Sequence, residues 1–291
     1  MNKLSLLLSG SMIAGIILVI CVDSVESQIP RERADVDEPV RNIFWANQNI
    51  GLNTVRLESP GSLNSTVKHT FGLVDGGENR RGIDTFFGLD DGANTRLGLE
   101  YGFTENFSAG IGRMAFRNVV DIHAQYNILR QTTTGSTPVE LAVLGATGIE
   151  TLPGTGFDFS ERLSYFGSVM VARKFDDFSL QISPMAGYFN RVTGEDENLH
   201  LGIGLAAQYE LTDRLALSAE YLPVIGDRND DTSDSMGIAL NIDTGGHIFQ
   251  LFFTSSQWHN EQYIMANNHE QLWDGDIRFG FNIHRVFDLR R

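Results

Sequence analysis

From about Ser65 onward, large apolar residues alternate with small or polar ones at a period of two. Few architectures accept that pattern over so much of a chain. Arg96-Leu97-Gly98-Leu99-Glu100-Tyr101 alternates, as does Asp121-Ile122-His123-Ala124-Gln125-Tyr126-Asn127-Ile128. His200-Leu201-Gly202-Ile203-Gly204-Leu205 and Ile277-Arg278-Phe279-Gly280-Phe281-Asn282-Ile283-His284 do the same. No helix-period segment of comparable length competes. The alternation predicts about twelve strands, near 65–74, 95–103, 107–115, 119–129, 138–147, 163–175, 178–188, 199–211, 215–224, 235–243, 247–255 and 275–286. Several run to roughly 9–12 residues, longer than the usual strand of a soluble sheet and suited to a tilted membrane-spanning strand.

The connections alternate in length. Thr104-Glu105-Asn106, Asp176-Asp177, Thr212-Asp213-Arg214 and Gly245-Gly246 are tight turns built from residues that tolerate turn geometry. Between them fall long polar segments at 75–94, 148–162, 189–198, 225–234 and 256–274, with a short link at 114–118 and a medium one at 130–137. Short turns at one end and long loops at the other are the asymmetry of an outer-membrane barrel, and an even strand count places both chain ends on the periplasmic side. The stretch starting at Leu97 and the one starting at Ala207 echo each other, as the same hairpin used twice.

A soluble sandwich also alternates, so the deciding feature is the character of the non-apolar face. It carries Gly98, Gly110, Gly112, Ala142, Ala146, Gly202, Gly204, Gly237 and Gly280, interspersed with charges. Small residues mixed with paired charges suit a crowded concave interior; the opposite face is Leu, Ile, Val, Phe and Tyr almost throughout. Phe103 and Phe107, and Phe175 and Phe178, flank tight turns where an interfacial aromatic girdle belongs. His69 and Phe252 break the alternation. The expected fold is all-β: a closed antiparallel transmembrane β-barrel of about twelve strands, because an open sheet edge has no place in hydrocarbon.

Composition sets the compartment and removes some partners. Residues 1–27 have the form of a secretory signal, with Lys3, an apolar stretch from Leu4 to Val22 and cleavage expected before Gln28. Cys21 is the only cysteine, and Ile20 before it does not suit lipidation. Residues 28–52 read as a polar periplasmic lead-in and 53–291 as the barrel. A net charge of −15 and only three lysines argue against nucleic acid as a partner. The expected partners are outer-membrane lipid, lipopolysaccharide and the barrel-assembly machinery, whose signal the strand ending near Phe287 resembles.

His69-Thr70-Phe71-Gly72, Phe86-Phe87-Gly88-Leu89-Asp90, Leu97-Gly98-Leu99-Glu100-Tyr101-Gly102 and Gly280-Phe281-Asn282-Ile283-His284-Arg285-Val286-Phe287 resemble an uncharacterised family of outer-membrane β-barrel proteins of Gram-negative bacteria. The resemblance spans about 42–287 and implies fold and location. None of its motifs is catalytic. Arg more usually follows the first His in that pattern; here Thr70 stands there.

Chemistry-bearing motifs are sparse. Gly202-Ile203-Gly204 and Gly110-Ile111-Gly112 partly mimic a dinucleotide fingerprint, but these glycines alternate inside strands instead of opening a helix. Asp227, Asn229 and Asp231 begin like a calcium loop, yet Thr232 occupies the glycine position and the closing Glu is missing. His259 and His269 match no metal-ligand spacing, and the 256–274 loop reads as an amphipathic lid over the mouth or as loop packing. No metal or cofactor is expected. Arg96, Glu100, Asp121, His123, Glu140, Glu210, Glu220 and Arg278 form the candidate lumen lining. In a channel such charges tune selectivity. The expected function is a narrow channel or passive transport pore, or a structural barrel. The alternatives are an outer-membrane hydrolase using His123 or His200, and a binding or assembly protein working through loops 75–94 and 256–274.

Overall fold

A computed structural model describes residues 36–77, 80–192, 194 and 196–290. The chain divides into two units, Met1–Asp37 and Glu38–Arg291, and only Val36 and Asp37 of the first are described. The expected signal segment, its cleavage point and Cys21 therefore lie outside the described residues.

The strands are β1 (Ser62–Leu73), β2 (Asn94–Thr104), β3 (Phe107–Met114), β4 (Val119–Leu129), β5 (Glu140–Glu150), β6 (Leu163–Phe175), β7 (Phe178–Phe189), β8 (Leu199–Thr212), β9 (Leu215–Leu222), β10 (Val224–Ile225), β11 (Ser235–Asp243), β12 (His247–Thr254) and β13 (Arg278–Asp288). β9 and β10 are one stave interrupted at Pro223, since both pair with β8 in a single continuous register. That leaves twelve staves, as the sequence predicts. Each is antiparallel to its neighbour, and β13 returns to pair with β1 from Ser62↔Asp288 to Thr70↔Gly280. Closure removes every unpaired edge, which hydrocarbon would penalise heavily.

The tight turns gather at one end and the long loops at the other. The β2–β3 and β8–β9 hairpins share their construction: each has a register shift before the turn, and Thr104 and Thr212 accept turn amides on their hydroxyls. Among the described residues no helix is long and apolar enough to cross a membrane.

The pleat sorts side chains as expected. Leu97, Leu99, Ile111, Ile122, Leu201, Leu217 and Ile238 stand exposed on the outer wall, while Asn64, Lys68, Arg96, Asp121, Gln181 and Asn282 are buried within. Phe103 packs 5.5 Å from Phe107 on the outside near the short turns, consistent with the girdle. Phe252 breaks the alternation because it points inward. A Cβ on Gly280 would lie 2.4 Å from its ring, so the glycine provides its space. His69 faces outward, stacked 5.3 Å from Phe281 and hydrogen-bonded to Thr95, whereas Thr70 beside it is buried.

One expectation is corrected. Residues 28–52 are not all a periplasmic lead-in, because the chain from Ile43 to Val55 is buried inside the barrel. Twelve strands leave a wider interior than their own side chains fill, and this segment occupies it. It passes the short-turn end, where the Val40 amide donates to the Gln131 carbonyl, and returns to β1 at that same end, where the Gly61 amide donates to the Gly102 carbonyl. The interior is also more apolar than the small-and-charged reading implied. Phe44, Leu52 and Val55 share a core with Phe166, Met170, Met185 and Leu222 of the wall.

Candidate functional site

The inserted segment is a hairpin. Thr54 donates its amide to the Asn47 carbonyl at 2.9 Å and Asn49 to the Leu52 carbonyl at 2.8 Å, so the turn tip is Ile50-Gly51. The wall holds that tip by its main chain. Glu220 of β9 accepts the successive amides of Ile50, Gly51 and Leu52 at 2.9–3.2 Å. Three consecutive amides converging on one carboxylate form an anion-binding nest. Lys68 of β1 and Asn282 of β13 donate to the Ile50 carbonyl at 3.0 and 3.1 Å. Gln181 of β7 accepts the Val55 amide at 2.9 Å and donates to the Asn53 carbonyl at 2.8 Å. Asn127 of β4 donates to the Val55 carbonyl at 2.8 Å, and Gln208 of β8 accepts the Trp45 amide at 3.2 Å.

From the long-loop end the hairpin meets a short helix, α1 (Glu261–Asn267), carried by the loop that follows β12. Glu261 accepts both the amide and the side-chain NH2 of Asn53 at 2.7–2.8 Å. Ile264 and Met265 join the apolar core beneath. The loop therefore folds into the mouth, as the lid reading expected. Burial raises the Glu261 carboxyl, against the opposing pull of the Asn53 amide. His259 is pushed down to about 3, mainly by burial and then by the charge of Lys68, while its Nε2 sits 3.1 Å from the Asn94 carbonyl. His269 instead lies exposed near the Asp231 carbonyl, so the two histidines share no site. At the other end, burial pushes the Glu58 carboxyl up to about 7, opposed by Arg56 and reinforced by Glu100.

All eight candidate lumen residues have a definite place. Arg96 and Asp121 form a buried pair at 2.5 Å, over Gly112, where a Cβ would collide with the guanidinium. His123 lies 3.5 Å from Glu100 and 3.6 Å from Asp121, linking the pair to Glu100. Glu100 also accepts from Ser108 at 2.5 Å and from Asn47 of the hairpin. Glu140 accepts from Asn127 at 2.5 Å and lies 3.1 Å from Arg130. Glu210 pairs with Lys174 at 2.6 Å and accepts from the Trp45 indole at 2.9 Å. Glu220 grips the hairpin tip, and Arg278 pairs with Glu270 of the long loop. Glu100, Glu210 and Glu220 thus bind the inserted segment directly and Glu140 does so through Asn127, so in this state they do not face an open passage.

Sequence reasoning did not single out the amide-bearing wall residues Asn127, Gln181, Gln208 and Asn282, nor the buried Lys68. Their inward positions were legible from the alternation, but uncharged side chains carry no signal of their own. A vestibule of about 670 Å³ remains at the short-turn end, lined by Arg41, Arg56, Glu58, Arg130 and Glu140 among others.

The family described as "Membrane bound beta barrel domain (DUF5777)" matches residues 44–287. The match begins within the inserted hairpin and ends in β13. No curated protein matches the sequence. Solved structures with a similar backbone include an outer membrane channel from Pseudomonas putida F1, at TM-score 0.49 and 10% identity over 80% of this chain and 97% of that one. The KdgM porin is similar at TM-score 0.48 and 10% identity, over 78% and 99%. The NanC porin is similar at 0.49 and 10%, over 77% and 98%.

Proposed function

From the premise that the chain belongs to this family of membrane-bound β-barrels, we propose that it is a channel of the outer membrane held shut by its own N-terminal hairpin. One observation carries this reading. Much of the material filling the lumen is a segment separate from the strands, held by wall side chains that bond its main chain and by an apolar core shared with the wall. Such a segment can leave while the strand ladders stay intact. A barrel filled by its own wall side chains could open only by unfolding.

The remaining parts fit this role. The outward Phe279, Phe281 and Ile283 of β13 present the apolar face on which the assembly machinery would act, and the exposed wall residues meet outer-membrane lipid and lipopolysaccharide. A hydrolase reading needs a nucleophile beside His123 or His200. The side chains flanking His123 are the carboxylates of Glu100 and Asp121.

The test uses the full chain in planar bilayers, compared with an Ile50→Asp, Leu52→Asp double variant. The two new charges replace apolar side chains packed over Gly237 and Gly204, where a buried charge is costly, and so expel the hairpin tip without altering a strand. The native chain should be silent apart from brief openings, and the variant should give sustained discrete steps. A folded variant, verified by heat-modifiable gel mobility, that stays silent would favour a structural barrel.

A further inference from the structure

We propose that the solute of this channel is a peptide, and that the hairpin occupies the lumen as a built-in stand-in for it. This rests on the channel reading above and names its substrate class. The wall reads the hairpin through groups that every peptide shares. Gln181 accepts the amide of Val55 and donates to the carbonyl of Asn53, so one side chain satisfies the two main-chain groups that flank Thr54. A residue on a neighbouring strand would bond an extended chain in the same manner, which is how main-chain pairing supplies affinity in strand-addition binding. Lys68 and Asn282 converge on one carbonyl, and Glu220 on three amides.

The two apolar side chains at the hairpin tip enter spaces that carry little sequence preference. Leu52 lies over Gly204 and Ile50 over Gly237; a Cβ on either glycine would come within 3.2 and 2.8 Å respectively of those side chains. Main-chain polar groups are thus matched by fixed donors and acceptors, and the apolar tip meets room left by glycine, while Trp45, Asn47 and Asn53 add side-chain bonds to Glu210, Glu100 and Glu261. A bare ion needs no such matched set, and a sugar offers no amide to Gln181 or Glu220. When the hairpin leaves, water fills the lumen and bonds these groups. A solute that displaces that water must replace its hydrogen bonds, so an entering peptide that restores the whole set is favoured over solutes that restore only some.

The experiment uses the full-length Ile50→Asp, Leu52→Asp variant. Three probes are added: an eleven-residue peptide with the sequence of residues 45–55, a scrambled peptide of the same composition, and a linear malto-oligosaccharide of matched mass. Both peptides should interrupt the current, with dwell times about tenfold longer than the sugar's, a ratio that one or two polar contacts provide. Equal blocking by sugar and peptides would overturn the proposal. Blocking by the native sequence alone would overturn it too, by marking a sequence-specific latch. Should the variant be silent, the channel reading fails, and fluorescence anisotropy of the labelled scrambled peptide on the detergent-solubilised variant still tests recognition. Binding there should weaken about fivefold on adding Gln181→Leu; unchanged or undetectable binding would refute peptide recognition.

Discussion

Gly51 donates its amide to both carboxylate oxygens of Glu220, at 2.9 and 3.1 Å, across 169 residues of sequence. Ile50 and Leu52 bond the same carboxylate, so this wall residue gathers all three amides of the hairpin tip. Glu220→Gln keeps the shape but exchanges one acceptor oxygen for an NH2 that confronts amide donors. Loss of charged hydrogen bonds costs about 1.5–3 kcal/mol. Opening frequency in planar bilayers should rise more than tenfold. An unchanged frequency would mean that the tip is held elsewhere.

The Arg96–Asp121 pair supports the opposite wall. Arg96→Met strands the Asp121 carboxylate with only His123 beside it, and breaking a buried pair from one side costs about 3–5 kcal/mol. The midpoint of heat- or urea-induced gel shift should fall accordingly. Adding Asp121→Asn should recover most of the loss, because the isolated charge is then gone.

Glu58 should make closure pH-dependent. Burial pushes its carboxyl from the ordinary 4.5 up to about 7 in the docked state, and release of the hairpin would return it toward the ordinary value. A raised value means that the docked state binds the proton more tightly. Its stabilisation is full below about pH 4.5 and is lost as pH rises through about 7. Channel openings should become more frequent across that window, and Glu58→Gln should flatten the dependence.

The long-loop end should respond with the opposite sign. His259 moves from an ordinary 6.5 to about 3 on burial. Its contribution is therefore present above pH 6.5 and lost as pH falls toward 3. Limited proteolysis of the 256–274 loop should accelerate on acidification, and His259→Gln should reduce that acceleration.

Gly280→Val places side-chain atoms where Phe252 sits, 2.4 Å from the Cβ position. Overpacking of this kind costs about 1–3 kcal/mol. The thermal midpoint should drop, and Phe252→Ala in the same chain should restore part of it. No recovery would mean that the collision is not with Phe252.

The barrel was legible because lipid imposes one rule on every strand: apolar side out, anything else in. Each predicted strand has its counterpart, and even the Thr104 and Thr212 turns repeat as their sequences suggested. The hairpin was not legible, because Ile43-Phe44-Trp45 and Ile50-Gly51-Leu52 follow no period and sit in a polar stretch. Their partners are scattered over β1, β4, β7, β8, β9 and β13, so the contacts arise only once the barrel closes. Inward Lys68 and Glu220 were a usable signal, since a buried charge needs a partner and neither has an obvious one along its own hairpin.

Hydrogen exchange of the backbone amides of Ile50, Gly51 and Leu52 in the folded, detergent-solubilised full chain tests the filled lumen most directly. These amides should exchange as slowly as those of β7 and β8, and Glu220→Ala should speed them while leaving the strands protected. Exchange at the rate of an unstructured peptide in the native chain would contradict the filled lumen.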